Sequence, residues 1–200
     1  MDSVPPSQSP TDDGDRQIEI DSYDDLLREG MIYAEQGFYL KAIELFQFAI
    51  ENGEADAMLY LHIARCYLEM DDNDEAKTFL KKAYKVDNQC YDVVYLLGFV
   101  YFLEAIYEKA IKYFDQAIEI QSESRDAYYY KAIALMRDAE IEDAVQCFDF
   151  ILTKYPTDHF VLYQKGLLCL QSNDKEQAMT LFKQAKDLGN QDAEEMMKTL

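Results

Sequence analysis

The chain has 200 residues, 49% of them hydrophobic, which is enough apolar surface for a packed core and too much for a wholly disordered polymer. Its 19 Lys and Arg stand against 39 Asp and Glu, and the formal charge of -20 argues against sequence-independent binding to nucleic acid or anionic lipid. Only 7 Gly and 4 Pro are present, so a fold of many tight β-turns is disfavoured and helix is favoured.

Residues 1 to 22 carry Pro5, Pro6 and Pro10, several Ser and the acidic run Asp12-Asp13-Gly14-Asp15. Such a composition cannot bury enough apolar surface to order alone, and the segment reads as a flexible tail. It has no basic stretch and no apolar run of a secretory signal. No stretch of about 18 apolar residues occurs anywhere, so no membrane insertion is expected and the cytoplasm is the expected location.

After the tail the sequence repeats every 34 residues. Ala42, Ala76, Ala110, Ala144 and Ala178 keep that spacing without an insertion, and each is followed four residues later by Phe46, Leu80, Phe114, Phe148 or Phe182. Twelve residues ahead of each alanine stands a small residue, Gly30, Ala64, Gly98, Ala132 or Gly166, which lets two helices approach closely. Three residues further on comes Tyr33, Tyr67, Tyr101, Leu135 or Cys169. Another small residue follows the alanine by seven at Ala49, Ala83, Ala117 and Ala185, with Ile151 as the exception.

Five units result, 23 to 56, 57 to 90, 91 to 124, 125 to 158 and 159 to 192. Apolar residues recur within them at intervals of three and four, broken by polar stretches such as Met70-Asp71-Asp72-Asn73, which predicts two amphipathic helices per unit. At the break, Gly37, Asp71 and Asn173 tolerate the left-handed conformation that ends a helix, whereas Ala105 and Ala139 in the same place do not favour it. Residues 193 to 200 begin a sixth first helix, predicted to lay Met196, Met197 and Leu200 over the last unit as a cap.

This pattern resembles the tetratricopeptide repeat, with Gly98-x2-Tyr101 and Ala110-x3-Phe114 as its fullest match. The resemblance holds in register through all five units. It departs in lacking Trp at the fourth position, where Leu26, Tyr60, Val94, Tyr128 and Leu162 stand, and in keeping the terminal Pro only as Pro156. Segments around Gly53 and Gly189 are also similar to the related Sel1-like repeat, but the uninterrupted period favours the plainer assignment. The resemblance implies an all-α fold, a right-handed superhelix of helical hairpins, whose concave groove is lined by the fifth, ninth and twelfth residues of each first helix.

In that register the groove holds Leu27, Met31 and Ala34 from the first unit and Leu61, Arg65 and Leu68 from the second. The third contributes Tyr95, Phe99 and Phe102, the fourth Tyr129, Ile133 and Met136, and the fifth Tyr163, Leu167 and Leu170. Tyr at the fifth and twelfth positions also serves packing in this family, so the ninth is the informative one. Met31, Phe99, Ile133 and Leu167 stand where the family commonly keeps a polar residue, and an apolar recognition surface is expected.

Asp92 and Asp126, with Asp24, Asp56, Glu123, Asp158 and Asp192, read as an acidic rim, although some of them are equally well explained as helix caps. The expected ligand is a protein or peptide segment with an apolar face and basic flanks. Tetratricopeptide modules that clamp the C-terminal carboxylate of chaperones need Lys, Asn and Arg where this chain has Leu27, Met31, His62, Asp92 and Leu96, so that function is not expected.

Catalysis has no visible basis. His62 and His159 lie in different units, Cys66, Cys90, Cys147 and Cys169 form no C-x-x-C pair, and no phosphate-binding glycine loop or hydrolase motif is present. The thiols read as buried or half-buried, and no metal or cofactor is expected. The function that follows is a non-catalytic adaptor or scaffold. A chaperone shielding an apolar client segment is the alternative. A third reading is a subunit whose groove is filled by a second copy, as a homo-oligomer, or by its own tail through Ile18-Glu19-Ile20.

Overall fold

The computed structural model describes residues 22–53 and 55–200. The expected tail, and the insert at Ile18-Glu19-Ile20, fall outside these residues, except that Ser22 caps the first helix. Eleven helices follow in order among the described residues. They are α1 (Tyr23–Glu35), α2 (Tyr39–Glu51), α3 (Ala57–Glu69), α4 (Asn73–Val86), α5 (Tyr91–Leu103), α6 (Tyr107–Ile120), α7 (Arg125–Arg137), α8 (Ile141–Lys154), α9 (His159–Gln171), α10 (Lys175–Asp187) and α11 (Gln191–Thr199). Odd and even helices pair as hairpins, each hairpin packs on the next, and α11 rests on α10, making an all-α solenoid.

The period arises from one contact repeated. Ala42, Ala76, Ala110, Ala144 and Ala178 have no exposed surface, nor do Phe46, Leu80, Phe114, Phe148 and Phe182 one turn later. A Cβ added to Gly98 would sit 2.9 Å from the Phe114 ring, and one added to Gly166 would sit 2.5 Å from Phe182. In the first, third and fifth units the first-helix backbone therefore lies directly on the ring of its partner helix and leaves no room for a Cβ, whereas the fourth unit places Ala132 opposite the equally buried Phe148. In the second unit Ala64 is accommodated because the opposing residue is the smaller Leu80.

Every hairpin turn passes through the left-handed region, at Gly37 (φ 82°), Asp71 (59°), Ala105 (58°), Ala139 (63°) and Asn173 (61°). Composition argued against this conformation at the two alanines. Its cause is the closing hydrogen-bond pair, seen where Ile106 N–H donates to the Tyr101 carbonyl at 2.9 Å and Glu140 N–H to the Leu135 carbonyl at 2.9 Å. Satisfying those helix-end carbonyls outweighs a backbone cost of roughly 1 kcal/mol per alanine.

A second series of contacts ties unit to unit. The first side chain of a unit reaches the cap of the next unit's first helix: Tyr23 Oη donates to Asp56, Tyr91 Oη meets Ser124, and Arg125 Nε donates to Asp158 Oδ2 at 2.7 Å. His159 is joined to the cap Asn190, whose Nδ2 donates to the His159 carbonyl at 3.3 Å. Asp56, Ser124, Asp158 and Asn190 each also accept the backbone N–H that their helix start leaves orphaned. The series is interrupted once, where Ala57 has no polar atom to offer and Cys90 makes no side-chain cap.

At the C-terminal end Met196 and Met197 pack against the last core cluster, as expected of a cap. Leu200 does not join them and is 49% exposed, because α11 ends one residue before it.

Candidate functional site

The first helices lie side by side on the inner surface of the stack, with α1 against α3 and α5 against α7. Among the described residues clefts open between them, and three bear on the expected groove. The first, about 250 Å³, lies between α1 and α3 and is lined by Met31, Ala34, Glu35, His62, Arg65, Cys66 and Glu69, with Tyr39 from α2. The second, about 630 Å³, is lined by Arg65, Leu68 and Glu69 with Leu96, Phe99 and Leu103 of α5. The third, about 480 Å³, lies between α7 and α9 and is lined by Ile133, Met136 and Arg137 with Gln164, Leu167, Leu170 and Gln171.

Nine of the residues expected in the groove by register therefore line clefts: Met31, Ala34, Arg65, Leu68, Phe99, Ile133, Met136, Leu167 and Leu170. Leu27, Tyr95, Phe102, Tyr129 and Tyr163 are half-buried among their neighbours. Leu61 is a correction: it has no exposed surface, because it packs into the apolar cluster that joins the first three units. A buried leucine cannot touch a partner.

Between the second and third clefts the inner surface is filled by aromatic rings. Tyr130 stands edge-on to Phe99 at 5.1 Å and to Phe102 at 5.6 Å, and also approaches Phe114 at 6.2 Å and Tyr129 at 5.4 Å. These are favourable edge and offset arrangements that fix each ring. The fifth-ninth-twelfth register missed Tyr130 because it is a sixth-position residue. Comparing that column, Arg28, His62, Leu96, Tyr130 and Gln164, would have singled it out as the one aromatic phenol. Burial holds the phenols of Tyr95 and Tyr129 above their ordinary range, so this patch stays uncharged.

The rim differs from the register-based expectation in its electrostatics. Asp92 pairs with Arg65 across α3 and α5 at 2.7 Å, and Asp126 pairs with its neighbour Arg125 at 2.9 Å. Their charge is answered within the chain. Asp56 and Asp158 are caps, and Glu123 is held by Lys154. Among the described residues, the carboxylates that line these clefts without an ion pair are Glu35, Glu69 and Asp71.

His62 and Cys66 share the first cleft, one helical turn apart. Burial lifts the Cys66 thiol to about 11, and His62, stacked on Phe46 at 5.4 Å, is lowered by its own burial and then by Arg65. A thiol so far from its anion is a poor nucleophile. Cys147 is likewise raised to about 11 by burial, and all four cysteines are free. Among the described residues no group of His, Cys, Asp and Glu could hold a metal ion. No described helix is long and apolar enough to cross a membrane.

A solenoid of helical hairpins with a cleft-bearing inner face is the architecture of a tandem-repeat protein. A family model described as the tetratricopeptide repeat protein 21 C-terminal ARM domain matches residues 36–161, and the tetratricopeptide repeat model matches residues 161–192. The chain belongs to the tetratricopeptide repeat family. No curated protein matches it. Among solved structures it is similar to MamA, at 20% identity over 86% of this chain and 97% of that one, with a TM-score of 0.75. It is also similar to YrrB, described as a TPR protein with an unusual peptide-binding site, at 19% identity over 88% of this chain and 91% of that one, with a TM-score of 0.79. A MamA double mutant from RS-1 superposes with a TM-score of 0.78 at 15% identity, covering 82% and 92%. At these identities the likeness is one of fold, an all-α right-handed superhelix.

Proposed function

We propose that this chain is a non-catalytic adaptor that holds an apolar or amphipathic segment of a partner protein along its inner surface. One observation carries the reading: cleft-lining apolar side chains that stay in reach of solvent, among them Met31 at 39% exposure and Leu103 at 47%. Exposed apolar side chains gathered in clefts of this kind mark an interaction site. Membership of a family built as interaction scaffolds supports it. The four free thiols fit a reducing cytoplasmic compartment.

The test separates binding from folding. Phe99 is packed against Tyr130, so Phe99→Asn loosens the fold as well as the surface. Leu103 is the cleaner site, because its exposed flank faces the second cleft. Leu103→Asn is expected to leave the helical circular dichroism unchanged while cutting affinity for an amphipathic peptide roughly tenfold by calorimetry, about 1.4 kcal/mol. Unchanged affinity in a folded Leu103→Asn protein would refute the groove.

A further inference from the structure

The inner surface is electrically polar along its length. The thirteenth residues of the five first helices are Glu35, Glu69, Leu103, Arg137 and Gln171, and all five are exposed. Glu35 and Glu69 line the first cleft, and Glu69 and Asp71 line the second. The third cleft has Arg137 and no carboxylate in its lining. Arg65, the cation of the first two clefts, is answered by Asp92 at 2.7 Å and leaves those carboxylates unmatched. Among the described residues, Glu35, Glu69, Asp71 and Arg137 make no ion pair and no side-chain hydrogen bond.

We propose that the groove takes its partner segment in one direction: a basic end over Glu35 and Glu69, an apolar middle over Phe99 and Leu103, and an acidic end against Arg137. The proposal rests on the groove reading above and adds a polarity to it. It also replaces a rim of uniform negative charge, with basic flanks on both sides of the ligand, by two ends of opposite sign. Charge complementarity is the argument. Unmatched charges beside an apolar floor attract opposite charges and repel like ones, which sets register and direction more than total affinity. Exposed pairs are individually weak, so the three or four at these ends together favour one direction by roughly tenfold.

Neighbouring helices pack roughly 8–10 Å apart, so the three steps from the first cleft to the third span about 30 Å, the length of a helix of about 20 residues. The probe is therefore a synthetic peptide of about 20 residues, with Leu and Phe along one helical face, two Lys at one end and two Glu at the other. Two versions carry a photo-crosslinker at the Lys end or the Glu end, and the full chain is mapped by mass spectrometry after irradiation.

The Lys end is expected to label α1 and α3, and the Glu end α7 and α9. Glu35→Lys, Glu69→Lys and Arg137→Glu in one chain should exchange the two patterns. In about 1 M salt, where screening acts within roughly 3 Å, the preference should vanish while binding persists. If both ends label both regions, or if the triple variant leaves the pattern unchanged, the polarity is wrong. Loss of that labelling in Leu103→Asn would then show the groove reading still standing. Labelling outside the groove, unaffected by Leu103→Asn, would sink both. Labelling that appears only after residues 1 to 21 are deleted, or only below the concentration at which light scattering detects a dimer, would mean the chain fills its own groove, and would also overturn the proposal.

Discussion

The first three units and the last two are joined by different chemistry. The seventh residues of α3 and α5, Ile63 and Leu97, have no exposed surface, and one apolar cluster runs from Leu26 through Phe114 and on to Ala134. In α7 and α9 the same position is Lys131 and Lys165, which cross the junction to Asp115 and Asp149 on the preceding hairpin. The core there divides into separate clusters around Phe148 and Phe182. Burial of apolar area is non-directional and adds up, whereas a part-exposed ion pair contributes about 0–1 kcal/mol. In a solenoid, stability is close to a sum of unit terms and nearest-neighbour interface terms. The difference therefore teaches that the first three units behave as one block and that the last two open more readily.

The largest expected effect comes from removing the ring at the centre of a unit. Phe114→Ala and Phe182→Ala each delete a fully buried phenyl, at about 3–5 kcal/mol. Amide hydrogen exchange should distinguish them: Phe182→Ala frees α9 to α11 while α1 to α6 stay protected, and Phe114→Ala lowers protection throughout α1 to α6. One cooperative transition in both variants would erase the comparison.

The junction itself gives a smaller effect. Burial alone would lower the Lys131 ammonium, yet the Asp115 hydrogen bond and the nearby charges hold it above its ordinary value. Asp115→Ala strands that charge and should cost about 1 kcal/mol in urea unfolding. Asp115→Leu together with Lys131→Met should recover the loss or exceed the parent, making this junction resemble those at Ile63 and Leu97. A double variant weaker than Asp115→Ala would show the ion pair to be the better joint.

Relieving the left-handed alanines should be milder. Ala105→Gly and Ala139→Gly each gain about 1 kcal/mol of backbone relief and lose about half of it to the freer unfolded chain. The urea midpoint is expected to rise slightly for both, one variant in each block.

The smallest effect is on pH. His62 sits below its ordinary 6.5 because of its burial first and Arg65 second. As pH falls the unfolded chain binds the proton before the folded one does, so this contribution is full above about 6.5 and is lost below it. His62→Phe keeps a ring against Phe46 and should flatten stability between pH 7 and pH 5.

The 34-residue period was legible because helix-on-helix contact fixes residue size: an alanine, a ring one turn later and a small residue opposite. Hairpins and their breaks followed from that alone. What lay beyond reach of the pattern depends on how one hairpin turns on the next. Leu61 and Met31 occupy neighbouring units of one predicted face, yet one is sealed and the other open. The Arg65–Asp92 pair joins residues 27 apart in sequence, and no spacing rule announces it. Tyr130 was hidden by its column rather than by its chemistry. The left-handed alanines were recognised as unfavourable, and the packed hairpin imposes them regardless.

Those two alanines have a bearing on how this sequence can change over time. Every alanine codon is a single base away from a glycine codon, so the relaxed turn is as near as a mutation can be. Selection removes only what falls below the stability that function needs, and a residual strain of about 1 kcal/mol lies within that tolerance. Ala105 and Ala139 thus record the hairpin's margin: each turn closes firmly enough to keep a residue that its own backbone would not choose.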